Sequence, residues 1–188
     1  MKLLILITEK IFKNQIFKSQ MELCHIINMT KLHLTYYTSY YANYKNIPKD
    51  FLCVGISRFV PETFKYSNYN NFIWNKDNFL APSIQLLSDI KNNKIDEDEY
   101  SKRYITEVLS RVQSYTGFET LAEWLVSFDN ELAQQQTEWK AVVFMCYEVP
   151  SDFCHRHLLR KLFNNYYKIP IEELVLNKVN AKTTNALF

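Results

Sequence analysis

Glycine is almost absent, with Gly55 and Gly117 the only two in 188 residues. A G-x-x-x-x-G-K-[ST] phosphate cradle and a G-x-G-x-x-G dinucleotide turn both need glycine where the backbone must approach a ligand closely. Both are missing, so conventional P-loop ATPase and Rossmann dehydrogenase chemistry drops out. The H-E-x-x-H helix of zinc proteases is missing too, and no cofactor fingerprint assigns a cofactor. No apolar run approaches the roughly 18 residues that cross a bilayer. The early run LLILI at 3–7 is interrupted by Glu9, Lys10 and Lys13, and no small-residue cleavage site follows it. The expectation is a cytoplasmic chain with no membrane partner.

Excess charge is scarce as well. The formal charge is +2, and Lys2, Lys10, Lys13 and Lys18 against Glu9 and Glu22 place all of it in residues 1–28, leaving the remainder balanced. Non-specific nucleic-acid binding draws on a concentrated basic surface, so a nucleic-acid partner has little support, whereas a local cationic pocket is compatible with this balance. The four cysteines, Cys24, Cys53, Cys146 and Cys154, lie in or beside apolar segments of a chain too large to need staples. They read as reduced thiols rather than a disulfide framework.

What is present is apolar and aromatic: 47% and 15% of the residues respectively, enough for one domain with a sizeable core. Residues 1–28 do not join the rest cleanly, and Met29 stands directly before the first convincing strand, KLHLTYYTS at 31–39. This divides the chain into an N-terminal extension at 1–28, a domain at 29–176 and a tail at 177–188. FLCVGIS at 51–57 and WKAVVFMC at 139–146 are near-continuous apolar runs, as expected of strands covered on both faces. Residues 65–82 read as a long ordered loop, and 84–90 as a short helix.

Asp96 caps a helix in which Tyr100, Tyr104 and Val108 share a stripe, with Glu99 placed as in a capping box. A second amphipathic helix spans about 118–136, a third runs from 152 to about 167, and IPIEELVL at 169–176 forms a last short strand. Strands alternating with helices predict a single compact α/β domain with a mainly parallel sheet covered by helices.

The chemistry concentrates in CYEVPSDFCHRHLLRKLF at 146–163. A buried strand delivers Cys146 and Glu148, Ser151 or Asp152 caps the next helix, and Cys154, His155 and Arg156 occupy its first turn. Open α/β sheets bind ligands at this kind of position. Three functional readings follow. Cys154 is a nucleophile with His155 or Glu148 handling protons. Alternatively, Cys146, Cys154 and a histidine bind zinc, although C-x7-C-H lacks a paired C-x2-C knuckle. Or the helix start, with Arg156 and with Arg58 from the neighbouring strand end, holds an anion while both thiols pack inward.

Against all three stands ordinary packing, since Cys146 ends an apolar strand and Cys154 shares a helical face with Leu158 and Leu162. Arg103 is read as a surface partner of Glu99 or Glu107. Tyr100 and Tyr104 are core aromatics with hydroxyls at a polar edge, and Thr38 and Ser39 end the first strand beside it.

YYTSYY (36–41), VGISRFVP (54–61), LAPS (80–83), DEDEYSKRY (96–104) and CYEVPSDFCHRHLL (146–159) resemble, in this order, the domain of unknown function 488 family. The resemblance runs from about 31 to 174. It implies a compact α/β protein, common in bacteria and their mobile elements, and it supplies no reaction. The family's characteristic positions fall on Thr38, Ser39, Ser57, Arg58, Pro61, Pro82, Tyr100, Tyr104, Cys146, Glu148, Cys154, His155 and Arg156. The leading expectation is a pocket for a small anionic, phosphate- or nucleotide-like ligand. Glu148, Cys154 and His155 are then the candidate catalytic groups, and Thr38, Ser39, Arg58, Tyr100, Tyr104 and Arg156 the ligand-binding ones. The alternatives are a non-catalytic nucleic-acid or protein binding module using the aromatic, asparagine-rich stretch at 66–79, or the zinc site. Whether the chain is an enzyme, and its oligomeric state, stay open at the level of sequence.

Overall fold

The structure is a computed structural model that describes residues 32–65, 70–74, 78–135 and 139–174. The expectations for residues 1–28, Met29, Cys24 and the tail at 177–188 lie outside the described residues. Among the described residues five strands, β1 (Thr35–Tyr40), β2 (Phe51–Gly55), β3 (Phe72–Trp74), β4 (Ala141–Cys146) and β5 (Ile171–Glu173), form one sheet in the order β3-β2-β4-β1-β5. Every pairing is parallel. The α/β class and the mainly parallel sheet are therefore as the sequence predicts.

β4 lies at the centre and is buried along its whole length, which explains why AVVFMC carries no polar residue. Its side chains alternate between two cores. Val142 and Phe144 join Tyr36, Leu52, Val54 and the helices, whereas Val143 and Met145 join Cys53, Tyr41 and Ile47 on the opposite face.

Among the described residues, the longer α-helices share one face. α2 (Ile84–Lys91), α3 (Glu97–Thr116), α4 (Leu121–Gln134) and α5 (His155–Lys161) all bury residues in the first core. The other face is roofed by aromatic rings, with Tyr41 and Tyr44 from a 3-10 turn at Tyr41–Asn46 and Phe64 from α1 (Glu62–Lys65) meeting Phe72. The stretch at 65–82, expected to be one long loop, thus begins at the last residue of α1 and contains β3, whose FIW segment is too short to show a period.

Local chemistry explains the helix ends. Asp96 accepts from the Glu99 amide at 2.8 Å to start α3, and Tyr100, Tyr104, Val108 and Val112 form its buried stripe. Gly117 ends α3 at φ +77°, a conformation that favours glycine. The reciprocal capping box belongs to α4, where Thr120 and Glu123 bond each other's backbone, so this helix starts at Leu121 rather than at 118. α5 continues as a π-helical turn, Leu162–Tyr167.

Gly55 is needed for space. A β-carbon there would lie 2.9 Å from Tyr41 Oη, 3.0 Å from Trp74 Cδ1 and 3.1 Å from Phe72 Cζ. Tyr41 Oη is itself held 2.6 Å from Ser57 Oγ and yields little. Gly55→Ala is expected to destabilise the fold by about 1–3 kcal/mol through overpacking, read as a lower urea midpoint at unchanged slope.

Candidate functional site

β4 ends at Cys146, and the chain then makes a tight turn in which the Asp152 amide donates to Val149 O at 3.1 Å. Pro150 occupies the second position of that turn, which suits its fixed φ. Ser151 and Asp152 are spent there, the Ser151 hydroxyl donating to Asp152 Oδ1 at 3.0 Å, so neither caps a helix. α5 begins at His155, three residues later than expected, and Cys154 becomes its N-cap without a side-chain capping bond. The consequence is chemical: the Cys154 sulfur turns toward Cys146 instead of toward the helix amides.

Four side chains converge as a result. The Cys146 and Cys154 thiols both reach Glu148 Oε2, at 3.1 and 3.0 Å. Cys146 Sγ lies 3.5 Å from His155 Nε2 and 3.7 Å from Nδ1, and Cys154 Sγ lies 4.0 Å from Nδ1. His155 Nε2 is 3.2 Å from Ile56 O. A carbonyl can only accept, so Nε2 carries a hydrogen, and Nδ1 is the ring nitrogen left to face the thiols. One donor atom from each of Cys146, Cys154 and His155 fits within 4.8 Å of the others, and all three residues are buried.

The protonation balance is tight. Burial pushes the Cys146 thiol well above its ordinary range, reinforced by its acidic neighbours. Donation from Cys146 brings Cys154 down to about 6 against the opposing effect of burial, with help from His155. Burial raises the Glu148 carboxyl, but the two thiol donations outweigh it and leave the group below its usual range. Cys154 and Glu148, 3.0 Å apart, are thus the two groups of the cluster held below their ordinary ranges.

The cluster opens into a cavity of about 310 Å³ whose walls include Arg58, Phe59, Pro82, Tyr100, Tyr147 and Phe153. Arg58 Nε donates to Pro82 O at 3.0 Å, and its Nη2 lies 3.4 Å from Ala81 O, so Arg58 also anchors the LAPS segment. Burial pushes the Tyr100 hydroxyl up, keeping it neutral.

The remaining candidates fall elsewhere. Tyr104 lies behind the site, donating to Leu80 O at 2.8 Å with its ring 5.3 Å from that of His155. Arg156 is 0% exposed and does not line the cavity. Its Nε donates to Glu173 Oε1 at 3.1 Å and its Nη1 to Glu148 O. Nη2 reaches the same Glu173 oxygen at 3.0 Å as an ion-pair contact without hydrogen-bond alignment. Thr38 Oγ1 donates to Glu173 Oε2 at 2.5 Å, and Ser39 Oγ donates to Leu174 O at 2.9 Å. Thr38 and Arg156 are thus brought together on Glu173, under the site rather than in it, and Ser39 lies on the opposite face of the sheet with Asn43.

Arg103 pairs with Asp89 at 3.0 Å and with Glu99 at 3.9 Å; Glu107 is bound instead by Ser83 and Arg111. The residue that sequence reasoning missed is Glu173. Its signal was the period of β5, where Ile171 and Glu173 turn inward and Glu172 outward.

A family model described as DUF488-N3a, active DUF488-N3 subclade, matches residues 37–167, from within β1 to the end of the π-helical turn. No curated protein and no solved structure matches the chain.

Removing one partner of the buried pair leaves a charge without compensation. Arg156→Met is expected to destabilise the protein by about 3–5 kcal/mol in urea unfolding, and Arg156→Met with Glu173→Gln to recover part of that loss.

Proposed function

The chain belongs to the DUF488-N3a family, and from that premise we propose that its working centre is a zinc site built on Cys146, Cys154 and His155. The observation that carries this reading is the spacing of the donors. With zinc about 2.3 Å from sulfur and 2.0–2.1 Å from nitrogen, tetrahedral ligands lie about 3.5 Å apart. The separations of the two sulfurs from Nδ1, the ring nitrogen left to bind a metal, are 3.7 and 4.0 Å. A second feature supports it: a metal-binding imidazole commonly gives its other N–H to a carbonyl, as Nε2 does to Ile56 O. Two soft thiolates and an imidazole favour zinc over the hard cations magnesium and calcium.

The anionic-ligand reading has less support. It needs Arg58 and Arg156 in one pocket, but only Arg58 lines the cavity, and the Arg156 guanidinium is turned to Glu173 and Glu148 O. Glu148 and the thiols add negative charge where an anion would enter. No described helix is long and apolar enough to cross a membrane. A reducing cytoplasm, which keeps Cys53, Cys146 and Cys154 as free thiols, is the location that suits this chemistry.

Elemental analysis of protein equilibrated with zinc and dialysed free of excess is expected to find one zinc per chain. Cys154→Ser should lose it. Cys53→Ala should keep it, because Cys53 belongs to the opposite face of the sheet. A folded wild-type chain that takes up no zinc sinks the proposal.

A further inference from the structure

We infer that the cavity beside Cys146, Cys154 and His155 takes a neutral, planar nitrogen heterocycle bearing an exocyclic amine, a free nucleobase or nucleoside, and that Glu148 moves the protons of its hydrolytic deamination. This inference rests on the zinc reading above.

Glu148 supplies the first argument. Its Oε2 accepts from both thiols, at 3.1 and 3.0 Å, only while those thiols carry hydrogens. Metal binding removes both hydrogens, since thiolate is the ligating form. The half-buried carboxylate then loses two donors while remaining next to both sulfur ligands. A zinc held by these residues would supply an activated water, the donor that fits in their place. A carboxylate poised beside an activated water is the arrangement required for proton transfer in hydrolysis.

Charge selects the substrate. Two thiolates would cancel the zinc charge with a neutral imidazole, which leaves the negative charge of Glu148 at the reacting end of the cavity and the positive charge of Arg58 on its wall. A phosphoryl or carboxylate group at that end is repelled, and a neutral ring is not.

Shape agrees with this selection. Tyr100 and Phe153 meet edge to face at 5.4 Å, and Phe59 and Tyr147 hold partly exposed rings at the mouth, 57% and 44% accessible. The 310 Å³ volume is near the lower end of the ~300–1,000 Å³ range of ligand pockets, suited to one ring system with at most a sugar. Aromatic walls stack on the faces of a heterocycle regardless of its edge pattern.

The donor set also matches a known chemistry. A zinc held by histidine and two cysteines, with a glutamate that is not a ligand, deaminates nucleobases by hydrolysis. The ligand-x-Glu spacing of that chemistry recurs here as Cys146-Tyr147-Glu148.

In the proposed step, water oxygen bonds to the ring carbon that bears the amine, and the carbon–nitrogen bond to that amine breaks. Glu148 carries one water proton to the adjacent ring nitrogen and the other to the departing amine. Ammonia leaves, a ring carbonyl remains, and no oxidant or reductant takes part.

The test incubates zinc-loaded full chain with cytosine, cytidine, adenine, adenosine, guanine, guanosine and a single-stranded oligonucleotide, measuring ammonia, ultraviolet shift and zinc content together. Ammonia from at least one free base or nucleoside is expected, accompanied by the spectrum of the keto product. Glu148→Gln should keep one zinc per chain and lower that rate by roughly 10²–10⁴-fold. Zinc-loaded wild type that releases no ammonia overturns the deamination and leaves the metal site standing, whereas wild type without zinc overturns both. Zinc lost with Glu148→Gln makes the carboxylate a ligand and overturns its proton-moving role. Ammonia from the oligonucleotide alone overturns the assignment to a free ligand.

Discussion

The ion pair between Arg156 and Glu173 is the interaction on which the site depends. A guanidinium with no solvent exposure cannot lose its charge, so the fold must compensate it internally. Glu173 from β5 provides the countercharge, Thr38 from β1 steadies the other carboxylate oxygen, and Glu148 O takes the Nη1 hydrogen. One cation thereby fixes the first turn of α5 against two strands and holds the backbone of Glu148. The side chain of Glu148 is then free to face the other way, toward Cys146 and Cys154.

The sheet's connectivity explains why the cavity lies where it does. The chain passes from β1 to β2 across a gap that β4 fills later, which leaves a crevice at the carboxyl ends of β2 and β4. Ile56 and Ser57 leave one strand there and Cys146 and Tyr147 the other, while the LAPS segment, held by Arg58, Tyr104 and Arg111, forms a side wall. Arg58 and Tyr104 thus act on the cavity through the segment they position.

Much of this was legible in the sequence because it is periodic or local. The apolar runs at 51–57 and 139–146 mark buried parallel strands, and Tyr100, Tyr104 and Val108 mark the inner stripe of α3. The convergence of Cys146, Glu148, Cys154 and His155 was likewise visible as one strand-to-helix turn. The partner of Arg156 was not, because Glu173 is 17 residues away and its position depends on β5 pairing with β1 beyond the π-helical turn. β3 was hidden in an aromatic, asparagine-rich stretch because three residues against β2 carry no period. That the longer α-helices share one face was also beyond reach, since FLCVG and AVVFMC are apolar on both faces whether long helices or aromatic rings cover them.

The start of α5 shows how a shift of three residues changes the chemistry inferred. If Ser151 or Asp152 capped the helix, its first amides would point into the crevice with Arg156 beside them, and an anion would fit. Pro150 instead draws Ser151 and Asp152 into a separate turn, and Cys154 takes the capping position with its sulfur aimed away from the amides. The same shift brings a second thiol to Glu148 and a ring nitrogen to within 4.0 Å of that sulfur. Acidic groups and a ring nitrogen now face one point, while Arg156 is turned to Glu173 and Arg58, on the cavity wall, is engaged with the carbonyls of Pro82 and Ala81. A group arranged in this way suits a cation better than an anion.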